Sequence, residues 1–168
     1  MRNVIAILLG AALACCCALT AAAAPTPLLP ASSPARFSWP LVPAPEVLRP
    51  FEAPGSAFGP GHRGVDLAGE PGQPVLAATD GVVVHAGWLV DRNVVSVEHA
   101  GGLRTSYEPT SPEVSAGDQV TQGQVIGHLE PGHPECATAC LHWGLREGGE
   151  YRDPLELVRG TRVRLLPW

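Results

Sequence analysis

Residues 79–107 have the sequence TDGVVVHAGWLVDRNVVSVEHAGGLRTSY, and this stretch decides the fold class. Runs rich in Val and other β-branched residues alternate there with turns built from Gly, Asp and Asn. Alternation at intervals of about 8–12 residues is typical of short antiparallel strands. The same pattern begins at Gly61 and continues towards the C-terminus. The one helical signal is a single turn at Pro154–Val158, which directly follows Asp153. The sequence therefore predicts an all-β domain, either a sandwich or a partly open barrel.

Composition excludes several classes of function. The 168 residues include no lysine, and 11 Arg stand against 16 Asp and Glu, which gives a formal net charge of -5. An acidic chain without a basic block is not expected to bind nucleic acid. Residues 114–124 resemble the hairpin of lipoyl and biotinyl carrier domains, but such carriers need a lysine amine for attachment. The carrier function is therefore excluded.

The N-terminal segment predicts export. Arg2 precedes an uncharged run from Val4 to Ala24, and Ala21-Ala22-Ala23 offers an A-x-A cleavage site. This is the pattern of a secretory signal peptide, which we assign to residues 1–23. Lipidation at Cys15 and a retained membrane anchor remain alternatives. Loss of Arg2 would leave 10 Arg against 16 acidic residues, a net charge of -6. We expect a secreted or cell-wall protein.

A Pro/Ala-rich segment follows the predicted signal. Residues 24–60 contain ten prolines, and each proline fixes φ and removes a backbone donor. We therefore predict a linker at residues 24–47, whose more apolar second half lies along the domain surface. The β domain is then expected at residues 48–168.

Three side chains suggest a metal site. His62 and Asp66 are four residues apart, and His142 lies far along the chain on a predicted strand. Two imidazoles and one carboxylate are a suitable three-ligand set for catalytic zinc, which keeps its fourth position for water. The spacing alone leaves the alternative of packed, hydrogen-bonded histidines.

Six motifs together resemble one family, the lysostaphin-type zinc metallopeptidases, metallopeptidase family twenty-three. They are, in order, His62-x-x-x-Asp66, Pro74-Val75, Asp80-Gly81-Val82-Val83, Gly102-x-x-Thr105-x-Tyr107, Gly117-Asp118-x-Val120-x-x-Gly123-Gln124-x-Ile126-Gly127 and Leu141-His142-Trp143. The resemblance implies the β fold called the duplicated hybrid motif, and hydrolysis of peptide bonds in peptidoglycan. It also implies that His62, Asp66 and His142 are the zinc ligands.

Two departures from the family concern catalysis. The family has a histidine where this chain has Cys140, and a second histidine where it has Pro109. General acid–base groups contribute about 10²–10⁴-fold to rate, and one oxyanion donor about 10²–10³-fold. Glu108 is our candidate replacement base, with a solvated loop carboxylate as the alternative. His133 is a second, weaker candidate proton carrier.

The two cysteines outside the predicted signal have two interpretations. An isolated pair in an oxidising compartment predicts a disulfide between Cys136 and Cys140. Alternatively, Cys140 is a fourth zinc ligand, because residues 140 and 142 of a strand point to the same face. We favour the disulfide.

Two functions follow as hypotheses. The first is an exported zinc endopeptidase that cleaves peptidoglycan cross-bridges. The second is a catalytically impaired module that binds peptidoglycan or regulates a partner hydrolase of the cell wall. We expect a monomer. Because no basic patch is visible in the sequence, neutral stem peptides are the expected ligands.

Overall fold

A computed structural model describes residues 37–56, 59–133, 136 and 138–159. The predicted signal peptide and residues 24–36 of the predicted linker lie outside these ranges. Within them, no helix has the length and apolar character needed to cross a membrane.

The described residues form eleven strands, a 3₁₀ turn at Ala100–Gly102 and the short helix α1 at Leu155–Val158. This confirms the all-β fold class. The strands are β1 Val47–Arg49, β2 Gly64–Gly69, β3 Pro74–Leu76, β4 Gly81–Leu89, β5 Arg92–Glu98, β6 Leu103–Glu108, β7 Thr110–Pro112, β8 Gln119–Val120, β9 Val125–Leu129, β10 Ala139–Glu147 and β11 Glu150–Arg152.

The strands form two antiparallel sheets that do not close into a barrel. The larger sheet has eight strands in the order β1-β2-β10-β6-β5-β4-β8, with β11 paired to β10. The smaller sheet has the order β3-β9-β7. This is the partly open arrangement expected from the sequence, and its centre is the trio β2, β10 and β6.

Alternation along β10 separates the core from the functional face. Leu141, Trp143 and Leu145 are buried, and Trp143 is the largest fully buried side chain among the described residues. Burial of each such side chain contributes about 1.5–3 kcal/mol. Because successive strand residues point to opposite faces, His142 is directed away from this core. Tyr107 of β6 is also fully buried and packs in the same core.

The packed structure begins before residue 48, where the sequence places the start of the β domain. Leu41 is fully buried in the core, and the Trp39 ring lies 6.4 Å from that of Trp143. The carbonyl of Pro40 accepts a hydrogen bond from the Leu76 N–H at 2.9 Å. Proline removes only a donor, so a Pro-rich segment can still offer carbonyls and apolar side chains. The part of the predicted linker that the structure describes therefore packs as part of the domain.

Candidate metal centre

The predicted ligands converge from two neighbouring strands. Asp66 of β2 lies directly opposite His142 of β10 in the sheet register, and His62 lies two residues before the start of β2. The His142 Nδ1 atom is 2.8 Å from Asp66 Oδ1, and His62 Nε2 is 3.0 Å from both atoms. Three potential ligand atoms thus surround one point, although His142 is 76 residues from Asp66 in the chain.

Hydrogen bonding orients His62. Its Nδ1 atom is 2.7 Å from the carbonyl oxygen of Pro50, which accepts a hydrogen bond from the Nδ1–H group. The Nε2 atom is then left to offer its lone pair to a metal. Metal-ligating histidines commonly donate their other ring N–H to a carbonyl or carboxylate in this way.

Asp66 has a buried oxygen with no partner. The residue is 1% exposed, and its Oδ2 atom has no hydrogen-bond partner among the described residues. Leaving such an atom unsatisfied is costly, so a cation here would compensate for its burial. Imidazole nitrogens and a carboxylate oxygen are ligand types that zinc accepts. The donor set therefore fits zinc.

The electrostatics keep Asp66 ionised. Burial alone would raise the pKa of its carboxyl group. The hydrogen bond from His142 and the charges of His62, His142 and His133 outweigh burial, and the pKa is lowered from its ordinary value of 3.8. The carboxylate is thus already in the deprotonated form that metal binding requires.

Gly64 makes room for His142, a role that the sequence did not reveal. A Cβ atom on residue 64 would lie 2.6 Å from His142 Nε2 and 2.5 Å from the Trp143 carbonyl oxygen. Real Cβ atoms essentially never approach this closely. Position 64 therefore requires glycine for a steric reason, which becomes visible only when β10 lies beside β2.

Glu108 lies in the same cross-strand row as the predicted ligands. It pairs with His142 across β6 and β10, so Asp66, His142 and Glu108 occupy neighbouring positions on three adjacent strands. Its side chain is 25% exposed, and its Oε2 atom is 3.8 Å from Arg92 Nε. A carboxylate thus stands beside the centre without being one of the three converging groups.

Cys136 and Cys140 are joined by a disulfide, with their Cα atoms 5.9 Å apart. In this state neither sulfur is free to bind a metal. The potential ligand atoms of His133, Cys136 and Cys140 nevertheless all lie within 4.8 Å of one another. If the disulfide were reduced, the thiols of Cys136 and Cys140 and the imidazole of His133 could together form a second set of metal ligands.

His133 approaches the centre more closely than its sequence position suggested. Its Nε2 atom is 3.7 Å from Asp66 Oδ1, and its ring is parallel to that of His142 at 6.1 Å. Burial lowers the pKa of His133 more than the Asp66 charge raises it. No strand spacing marks this residue, because it lies outside the strands, between β9 and β10.

Two of the other histidines, His99 and His128, lie elsewhere in the fold. His99 is buried, and its two nitrogens lie 2.7 Å from Thr105 Oγ1 and 2.9 Å from the Asp80 carbonyl oxygen. His128 contacts Glu113 at 3.2 Å on the surface.

A groove leads away from the centre along β6 and β10. Its cavity has a volume of about 430 Å³ and is lined at one end by His142 and Glu108. Ser106 lines its floor, and Arg104 and Arg146 line its other end. A second hollow of about 410 Å³ lies on the side of His133. An extended ligand could therefore lie across the centre.

Comparison with known proteins finds a sequence relative and solved structures that are similar to this chain over most of its length. An uncharacterized protein of Mycobacterium tuberculosis is 54% identical over 138 residues, which cover 79% of this chain and 55% of that protein. The solved SpoIIQ–SpoIIIAH pore forming complex matches with a TM-score of 0.63 and 30% identity over 74% of this chain and 92% of the matched one. The catalytic domain of lysostaphin from Staphylococcus simulans matches in fold with a TM-score of 0.59, at 24% identity over 69% of this chain and 93% of that domain.

The chain spans about half the length of the mycobacterial relative. The family model described as Peptidase family M23 matches residues 60–154, a range that contains His62, Asp66 and His142. The match covers more than half of the chain and agrees with the lysostaphin-like fold. This protein therefore belongs to peptidase family M23.

Proposed function

We propose that the protein is a zinc-dependent peptidase that hydrolyses peptide cross-bridges of peptidoglycan outside the cytoplasm. The observation that carries the proposal is the convergence of His62, Asp66 and His142, with the buried Asp66 Oδ2 atom left unpartnered. Zinc at this position would supply Lewis acidity and lower the pKa of a water molecule. The orientation of His62 by Pro50 and the lowered pKa of Asp66 prepare the ligands for binding.

We assign proton transfer to Glu108, with His133 as the second candidate. Glu108 stands in the row next to His142, on the side opposite Asp66. A carboxylate beside the metal is the usual general base of several metalloprotease classes. His133 lies near the centre as well, with its Nε2 atom 3.7 Å from Asp66 Oδ1.

The proposed substrate class rests on the groove and on the resemblance to lysostaphin-type enzymes. Gly144 and Ser106 are paired across β10 and β6 and form a floor without bulky side chains. Such a floor allows an extended peptide to approach the sheet face. The predicted signal peptide would deliver the protein to the compartment where peptidoglycan lies.

Turnover of defined cross-linked peptidoglycan fragments tests the proposal. The wild-type protein with about one zinc per chain is expected to cleave them, and His142→Ala is expected to lose both zinc and cleavage. Glu108→Gln is expected to keep zinc and lose about 10²–10⁴-fold in turnover. Glu113→Gln, an exposed carboxylate on the surface, is the matched control. Zinc-loaded wild type that cleaves no type of cross-bridge would contradict the peptidase assignment.

The second candidate is a module that binds peptidoglycan or regulates a partner hydrolase. The absence of both family histidines, at Cys140 and Pro109, favours it, as does the resemblance to SpoIIQ, which was solved in a complex. This function predicts binding to peptidoglycan without turnover, and stimulation of an added cell-wall hydrolase. Equal hydrolase rates with and without the protein would argue against it.

A further inference from the structure

The end of the groove remote from the metal centre carries three guanidinium groups. Arg63, Arg104 and Arg146, here called the arginine cluster, all line the 430 Å³ cavity together with Tyr151. They are three of the 11 Arg in a chain whose formal net charge is -5. The sequence predicts no basic patch, because these arginines lie 41 and 42 residues apart. Sheet pairing brings them together.

The register sets the distance between the cluster and the metal centre. Arg146 and His142 are four residues apart on β10 and therefore point to the same face. A rise of about 3.3 Å per residue separates their Cα atoms by roughly 13 Å. On β6, Arg104 lies opposite Arg146, and Glu108 lies opposite His142. The groove thus carries guanidinium groups at one end and the predicted metal ligands at the other.

The Arg146 side chain packs on an aromatic ring, but not all of its hydrogen-bond donors have partners among the described residues. Its guanidinium carbon lies 5.2 Å from the centre of the Tyr151 ring, and that of Arg63 lies 5.5 Å from the same ring. The Arg146 Nε atom is buried and has no hydrogen-bond partner among the described residues. A buried donor without a partner is costly, and a guanidinium group that lines a groove can donate to both oxygens of a carboxylate in a bidentate pair.

Neighbouring carboxylates do not neutralise Arg146. Arg104 pairs with Glu98 at 2.8 Å, and Glu147 pairs with Arg152 at 3.6 Å. Across the part of the chain that the structure describes, Arg146 forms no ion pair. Two guanidinium groups on one aromatic ring repel each other, so an anion between them would be stabilised.

We infer that the arginine cluster binds a free carboxylate of a peptide substrate. The inference rests on the proposed function in taking the metal centre as the place of cleavage. An extended peptide spans at most about 3.3–3.6 Å per residue, so 13 Å corresponds to roughly four residues. The substrate class is therefore an acidic peptide with a carboxylate about four residues from the scissile bond. This proposal differs from the sequence-based expectation of neutral stem peptides, which stays a prediction.

Binding without cleavage tests the inference. The probes are a stem-peptide fragment with free carboxylates and the same fragment with those groups converted to carboxamides. Calorimetric titration into the full-length His142→Ala protein avoids hydrolysis. The acid form is expected to bind about tenfold more tightly than the amide, and sodium chloride is expected to reduce that preference. Equal affinities, including no measurable binding of either probe, would overturn the inference.

Variants of the cluster locate the effect. Arg146→Gln in the same background should abolish the preference for the acid, and Arg146→Lys should retain only part of it because an ammonium group cannot form the bidentate pair. Arg152→Gln makes the same charge change on an exposed arginine outside the groove and should keep the full preference. An acid preference that persists in correctly folded Arg146→Gln protein would exclude the cluster as its cause.

The two proposals fail separately. Wild-type protein that cleaves acid and amide cross-links at equal kcat/KM supports the peptidase and overturns the carboxylate site. Protein that cleaves nothing, but prefers the acid form through Arg146, supports the carboxylate site and contradicts the peptidase.

Discussion

Asp66 Oδ1 lies 2.8 Å from His142 Nδ1, and the two residues face each other across the paired strands β2 and β10. This contact brings together groups that are 76 positions apart. The candidate metal centre therefore depends on the register of one strand pair.

Removal of the Asp66 charge should prevent zinc binding. In Asp66→Asn the amide replaces the only carboxylate among the three converging groups, and zinc content is expected to fall from about one per chain to near zero. Elemental analysis after dialysis measures this. Asp91→Asn removes the same charge from an exposed residue and should bind zinc as the wild type does. Full zinc content in Asp66→Asn would exclude Asp66 as a ligand.

A methyl group on Gly64 should displace His142. The added Cβ would meet the imidazole ring and the Trp143 carbonyl, so Gly64→Ala should weaken zinc binding and destabilise the fold by about 1–3 kcal/mol. Zinc titration and urea unfolding measure the two effects. Gly149→Ala adds the same methyl where nothing lies within 4 Å and should change neither quantity. Unaltered zinc affinity in Gly64→Ala would show that the site tolerates the group.

The disulfide should hold His133 beside the centre. Reduction is expected to raise the intact mass by about 2 Da and to leave two thiols that, with His133, bind a second zinc. The double variant Cys136→Ser with Cys140→Ser should lose stability at the low end of about 2–4 kcal/mol and keep only the first zinc. A mass that does not change with reductant would refute the bridge.

Leu41 should contribute to the core although it lies in the predicted linker. Leu41→Ala is expected to lower the free energy of unfolding by about 2–5 kcal/mol, since the side chain is fully buried. Leu48→Ala truncates a side chain that is 49% exposed and should cost much less. Urea denaturation measures the free energy of unfolding of both variants. If the two substitutions lower it equally, residues 37–47 do not unfold cooperatively with the domain.

The sequence by itself determined the fold class and the family. β-Branched runs and Gly-rich turns act locally: Gly101 and Gly102, with φ of 81° and 78°, adopt a conformation that other residues rarely take between β5 and β6. The spacing of His62 and Asp66 and the motif around His142 likewise stand in the linear chain. These features predicted an all-β domain and named the three candidate ligands.

Tertiary structure decided which other side chains surround them. Glu108 joins the row of Asp66 and His142 only through the pairing of β6 with β10, and Arg146 meets Arg63 around Tyr151 only because β11 folds back on β10. His133 comes within 3.7 Å of Asp66 only in the folded chain. Local propensity specifies a strand but not its partner, whereas register follows from the burial of one face in a shared core. The chemistry of the groove was therefore set by long-range packing.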